Sequence, residues 1–176
     1  MAMVLDMLSD EVLGECARQG THEARAVLLS RYADPVYNVV YNLSGGSREA
    51  EELTYQTLTS AIVEGWSQEL KGDFRTCLFR TAIQAAMGAA RRRPPRLFDV
   101  PHLAGRLREA LDDVDEVDRA AFVLCDLVEM PTEEAAAVLQ RSPRDIRQSV
   151  HCTRLTLIEA LNGSSVRPST AAAGAS

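Results

Sequence analysis

Arg147, His151 and Arg154 stand at steps of four and three, the spacing that aligns side chains along one face of a helix. Ile146, Val150 and Leu157 fall on a different, apolar face of the same stretch. Arg144 and Gln148 add to its polar groups. Arg can pair with guanine edges and Gln with adenine, while the remaining groups touch phosphates, which position without specifying sequence. The chemistry such a face offers is hydrogen-bonded recognition of DNA. Thr132, Glu133 and Glu134 open a shorter helix just before it, with Thr132 expected as the cap and acids in the first turn. Ala135, Ala136, Val138 and Leu139 give that helix an apolar side, Gln140-Arg141-Ser142 interrupts it, and Ser142-Pro143 opens the second helix. A short helix turning into one with exposed basic groups is the helix-turn-helix plan. An ordinary solvated helix pair is the competing reading of the same residues.

Composition narrows the choice. Cys16, Cys77, Cys125 and Cys152 are scattered with no CxxC pair, and only 3 His are present, so neither metal site nor disulfide frame is suggested. No nucleophile–base pairing or phosphate loop appears, so no enzyme activity and no cofactor are expected. No apolar run approaches the ~20 residues of a membrane span. Residues 1–6 lack the basic start of a secretory signal, so no membrane insertion and a cytoplasmic location are expected. Residues 1–96 hold 11 basic and 12 acidic side chains, and residues 97–176 hold 8 and 13. Autonomous DNA-binding domains are usually basic, because phosphate contacts supply most of their affinity. This chain should bind free DNA poorly, and a larger partner would have to supply the positive field.

The elements that position these residues read as helix throughout. Ser9 or Asp10 caps a first helix ending at Gln19-Gly20, and Thr21 caps a longer one carrying Val27, Leu28, Tyr32, Val36, Val39, Val40 and Leu43, with a kink expected at Asp34-Pro35. After Ser44-Gly45-Gly46, Ser47 is expected to cap a third helix. Leu53, Thr57, Leu58, Ala61 and Ile62 line its inner side, and Glu51, Glu52, Tyr55 and Gln56 its outer side. A loop with Trp66 leads to a fourth helix from Asp73, with Phe74, Cys77, Leu78, Thr81, Ala82 and Ala85 inward, ended by Arg91-Arg92-Arg93-Pro94-Pro95. Phe74 and Phe79 read as core. An extended linker, a helical hairpin tipped by the acidic residues 112–118, the helix-turn-helix and a Ser/Ala/Gly-rich tail follow. The fold class is all-α: two helical domains, 1–93 and 104–162, joined by a linker at 94–103, with a disordered tail at 163–176.

In this order of parts the chain resembles the bacterial extracytoplasmic-function sigma factors, the small type with only a region-two and a region-four domain. Residues 49–58 (EAEELTYQTL) resemble the family's AEDLVQETF, and residues 74–84 (FRTCLFRTAIQ) its FRAWLYRIARN. Residues 119–127 (RAAFVLCDL) resemble RAAFVLRDL, and residues 131–154 the helix-turn-helix SYEEIAEILGISEGTVRSRLHRAR. The likeness covers roughly residues 10–161. Tyr55 and Gln56 stand at the family's Gln and acid, Cys77 at its Trp, Gln84 at its Asn, and Gly88-Ala89 where an Asp and a basic or aromatic group often follow. Gln140 replaces its Gly at the bend, a left-handed position for a side chain that tolerates it less well. Ser149, Cys152, Leu155 and Thr156 stand where further Arg residues are usual.

The resemblance implies a transcription initiation factor, with core RNA polymerase (β′ clamp and β flap), promoter DNA and an anti-sigma factor as partners. It implies that Glu51, Glu52, Tyr55 and Gln56 hold the polymerase clamp. The loop 66–73 and Arg75, Arg80, Gln84 and Met87 would meet the unstacked minus-ten strand, with Arg91 and Arg92 on phosphates. Arg144, Arg147, Gln148, His151 and Arg154 would meet the minus-thirty-five element. Two other readings remain open on the residues alone. One is a degenerate sigma-like protein that binds polymerase or an anti-sigma partner without reading DNA. The other is an autonomous helix-turn-helix regulator, which would need a dimer seam and a more basic surface.

Overall fold

The computed structural model describes Leu5 and residues 7–44, 46–65, 73–90 and 103–162, and among these it contains helices and turns but no strand. Of the expected linker 94–103, Leu103 already opens a helix and residues 94–102 lie outside the described residues, as do the tail 163–176, Trp66 and Arg91–Arg93.

Helix α1 (Asp10–Arg18) starts where Ser9 Oγ accepts from the Val12 amide, and it buries Leu13 and Ala17. Gly20, at φ +91°, turns the chain into α2 (His22–Ser44), the central helix. Pro35 sits inside α2 without ending it, although it has no amide to donate to the turn before it. Every fourth or third residue from Ala24 through Leu28, Tyr32, Val36, Val39, Val40 and Leu43 is buried, and α1, α3 and α4 pack around that stripe. Tyr32 donates to Asp10, which Arg31 also pairs with, tying α1 to α2. The Tyr32 ring meets Phe74 at 5.6 Å and Phe79 at 6.3 Å, both edge-on. Burial first, then the bond to Asp10, pushes the Tyr32 hydroxyl far above its ordinary pKa.

Helix α3 (Ser47–Thr59) buries Ala50, Thr54, Thr57 and Leu58. Its cap is Gly46, in an extended conformation with no side-chain bond, rather than Ser47. The chain has already entered the helix at Ser47, and a hydroxyl inside the first turn cannot cap its own helix. A wider π-type turn, Ser60–Gly65, extends α3 and buries Ile62. Asp73 Oδ1 accepts from the Thr76 amide at 2.6 Å and opens α4 (Phe74–Ala90). Phe74 and Phe79 are core residues, as their sequence positions suggest. Thr81 is exposed, its hydroxyl turned back to the Cys77 carbonyl at 3.0 Å, and Thr76 takes a buried place instead.

The remaining helices are α5 (Leu103–Asp112), α6 (Glu116–Phe122), α7 (Thr132–Leu139) and α8 (Pro143–Asn162). Asp115 caps α6 by accepting from the Val117 amide at 2.9 Å. A second π-type segment, Val123–Leu127, continues α6 and buries Val123 and Leu124. α8 packs against α5, α6 and α7. One continuous apolar core runs from Leu13 to Val150, passing from α2 and α4 into the second π-type segment and α7.

Candidate nucleic-acid interface

The bend between α7 and α8 is built by local backbone chemistry. Gln140 holds φ 55° and ψ 44°, the left-handed conformation expected at this position. That turn lets the Arg141 amide reach back to the Ala136 carbonyl at 3.0 Å and closes α7. Ser142 Oγ accepts from the Asp145 amide at 3.1 Å, and Asp145 Oδ2 accepts from the Ser142 amide at 3.4 Å, a reciprocal cap around Pro143. The cap of α7 itself is Pro131, with no side-chain bond, so Thr132 is the first helical residue and not the cap. Glu129 is a second left-handed residue, at φ 55°, which nothing in the sequence singled out.

Helix α8 is anchored on one side and open on the other. Ile146, Val150 and Thr153 are buried against the bundle. Ser149 Oγ donates to Asp118 Oδ1 at 2.5 Å, and Thr153 Oγ1 reaches the Asp118 carbonyl at 3.4 Å, so α6 fixes the rotation of α8. Arg144, Arg147, Gln148, His151 and Arg154 are all exposed. Arg154 differs from the others, because its Nε and Nη2 fork onto Asp126 at 2.8 and 2.6 Å. The Asp126 hydrogen bond holds the Arg154 pKa above its ordinary value. Burial raises the neighbouring Cys125 thiol, Asp126 adds to that, and Arg154 opposes it.

On α3, Glu51, Glu52, Tyr55 and Gln56 share one solvent face, and Tyr55 is 72% exposed. Gln56 reaches Glu52 at 3.5 Å along that face. On α4 the residues proposed for strand capture divide. Gln84 is exposed and Met87 packs partly against the core. Arg75 pairs with Glu134 of α7 at 3.3 Å and lies 5.9 Å from the Phe79 ring centre. Arg80 donates to the Ala137 and Val138 carbonyls of α7 at 2.8 and 3.3 Å. Sequence reasoning missed the acids Asp118, Asp126 and Glu134 that organise these basic groups. Asp118 reads in the sequence as the end of a solvated acidic tip and Glu134 as a first-turn acid, and nothing in their spacing points to a basic or hydroxyl partner. Arg91 and Arg92 lie outside the described residues.

A family model described as Sigma-70, region 4, matches residues 104–157, the stretch that holds the bend, all of α7 and most of α8. The ECF RNA polymerase sigma factor SigE of Mycolicibacterium smegmatis is 27% identical over 175 residues, covering 85% of this chain and 68% of the relative. Over most of its length the chain is similar to an extracytoplasmic-function sigma factor. SigW of Bacillus subtilis, also an ECF RNA polymerase sigma factor, is 26% identical to this sigma factor over 88 residues, 50% of this chain and 47% of the relative. Among solved structures, CnrH in complex with the cytosolic domain of CnrY shares the fold, with a TM-score of 0.71 and 23% identity over 89% of this chain and 99% of that one. This sigma factor is therefore a transcription initiation factor, and the autonomous-regulator and degenerate readings are not favoured. No helix among the described residues is long and apolar enough to cross a membrane.

Proposed function

We propose that this sigma factor docks on core RNA polymerase through Glu51, Glu52, Tyr55 and Gln56 of α3, with the β′ clamp as receptor. A β-flap contact by the C-terminal helices completes the docking. Arg144, Arg147, Gln148 and His151 read the minus-thirty-five element, and α4, with Arg75, Arg80, Gln84, Met87, Arg91 and Arg92, meets the opened minus-ten strand. Residues 1–93 act as the region-two module and residues 104–162 as region four, with 94–103 as tether and 163–176 as tail. The observation that carries this reading is the open basic row on α8, held outward by the burial of Ile146 and Val150 and the Ser149–Asp118 bond on its other side. Arg154, forked to Asp126, shapes the row and supplies less free charge than its neighbours.

The net charge of −6 supports a division of labour, in which the polymerase provides affinity for phosphates and this subunit provides the address. The subunit itself performs no chemical step, and its place of action is the cytoplasm, where promoters are. CnrH forms a complex with the cytosolic domain of CnrY, and its shared fold supports a protein partner of anti-sigma type here too.

Co-purification tests the reading. The full chain should be retained on core polymerase, and Tyr55→Ala should release it without lowering its melting temperature. Retention unchanged by Tyr55→Ala and by Glu52→Lys would remove α3 from the docking surface. Tight, sequence-specific binding of DNA without polymerase would contradict the division of labour.

A further inference from the structure

Where α1, α2, α4 and the second π-type segment meet, a cavity of about 360 Å³ lies beside Tyr32. Its apolar wall is made by Pro35, Phe79 and Val128. Its polar wall holds Asp10, Arg31 and Arg75, two guanidinium groups against one carboxylate. Asp10 is already served on both oxygens, by Arg31 on Oδ1 and by the Tyr32 hydroxyl on Oδ2. Arg75 is less well matched. Glu134 lies 3.3 Å from its Nε, yet that nitrogen is buried and meets no aligned hydrogen-bond acceptor. A buried donor without an acceptor is destabilising, and a charged donor most of all. The volume falls at the lower end of the range for small-molecule sites, which combine an apolar lining with a few placed polar groups.

We propose that this cavity is a binding site for a small apolar monocarboxylate, an aromatic or branched aliphatic acid anchored on Arg75. The lining residues carry one net positive charge, which favours a monoanion over a cation or a neutral molecule. A planar guanidinium has five N–H donors, more than Glu134 engages, so a second carboxylate can bind to the same group. The body of the acid then covers Pro35, Phe79 and Val128, and the apolar surface removed from water supplies the rest of the affinity. Inorganic phosphate has no such body to set against that wall. Because the cavity's walls run from Asp10 to Val128 along the chain, an occupant stabilises the native form by mass action. Binding of the acid needs neither the polymerase nor the DNA role proposed above, and its test uses neither.

Benzoate is the probe, titrated into the full chain by calorimetry and by saturation-transfer NMR, with benzamide and inorganic phosphate as comparisons. One saturable site with a Kd on the order of 1 mM or below is expected, with a melting temperature that rises with occupancy. Benzamide has the same shape without the charge and should bind at least about tenfold more weakly, as should phosphate. Arg75→Gln should weaken benzoate by about tenfold or more. Val128→Phe fills the cavity without altering its charges and should abolish binding while circular dichroism shows the helices intact. Glu134→Gln removes the competing carboxylate and should tighten benzoate by about threefold, a change that damage to the fold would not produce. That variant keeps the test decisive if Arg75→Gln does not fold. Absence of saturable benzoate binding, or benzamide or phosphate binding as well as benzoate, would overturn the site. So would a benzoate affinity unmoved by Val128→Phe or by Glu134→Gln, or by a folded Arg75→Gln.

Discussion

Replacing Gln140 with Gly should make this sigma factor more stable, and the size of the gain follows from one pair of backbone angles. Gln140 sits at φ 55° and ψ 44°, where its Cβ crowds the following carbonyl. That conformation costs an ordinary residue roughly 1–2 kcal/mol, and glycine escapes it. Glycine also makes the unfolded chain more disordered, which offsets about 0.4–1 kcal/mol. The Gln140 side chain is exposed, so its removal forfeits no packing. The net expectation is a gain of roughly 0.5–1 kcal/mol, or ~2–4 °C per kcal/mol in melting temperature for a chain of this size. Thermal and urea unfolding followed by circular dichroism would measure it. Gln140→Ala keeps the Cβ and should leave stability nearly unchanged, whereas Gln140→Val should lower it. Glu129→Gly, relieving the other left-handed residue, should add independently if the two sites do not share partners. A Gln140→Gly variant that melts at or below the wild type would refute the strain argument.

Ile146→Ala removes a fully buried anchor of α8 and should cost about 2–5 kcal/mol in denaturant unfolding, with loss of promoter activity following from the lost helix position. Arg147→Ala should leave melting unchanged and weaken promoter complexes by about 1–3 kcal/mol at the base it reads, measured by competition among mutated minus-thirty-five sequences. The Tyr32 hydroxyl is held protonated in the fold, so its raised pKa stabilises the chain below ~10, the ordinary tyrosine value, and that contribution is lost as pH climbs above it. Tyr32→Phe should therefore be less stable than wild type near neutrality yet lose less stability above ~10, in urea melts across alkaline pH. Thiol reagents at neutral pH should label exposed Cys152 ahead of Cys125, whose thiol burial and Asp126 hold above its ordinary value, and the order would show in peptide mass mapping.

Much of the architecture is legible because local signals and periodicity agree. The Ser9 cap, the stripe from Leu28 to Leu43 and the Ser142-Pro143 start follow from rules acting over a few residues, whereas the left-handed Gln140 is legible only through the family resemblance. The misplaced caps at Ser47 and Thr132 are errors of a single residue, where Gly46 and Pro131 take the extended conformation a cap requires. The two π-type segments escaped notice, because one wider turn shifts the inward face without changing composition. The polar faces of α3 and α8 could be picked out by spacing alone. The partners of Arg75, Arg80 and Arg154 could not, since Glu134, Ala137 and Asp126 lie far along the chain and are brought near only by packing. Spacing marks which groups share a face, and tertiary contact decides which of them remain available.

Run-off transcription from a panel of promoter fragments, with core polymerase alone, with this sigma factor alone and with both together, tests the central claim most directly. Transcripts starting at one discrete position, present only when both proteins are supplied and lost when Arg147 and Gln148 are both replaced by Ala, are the predicted result. Initiation that ignores promoter sequence, or specific DNA binding that needs no polymerase, would contradict it.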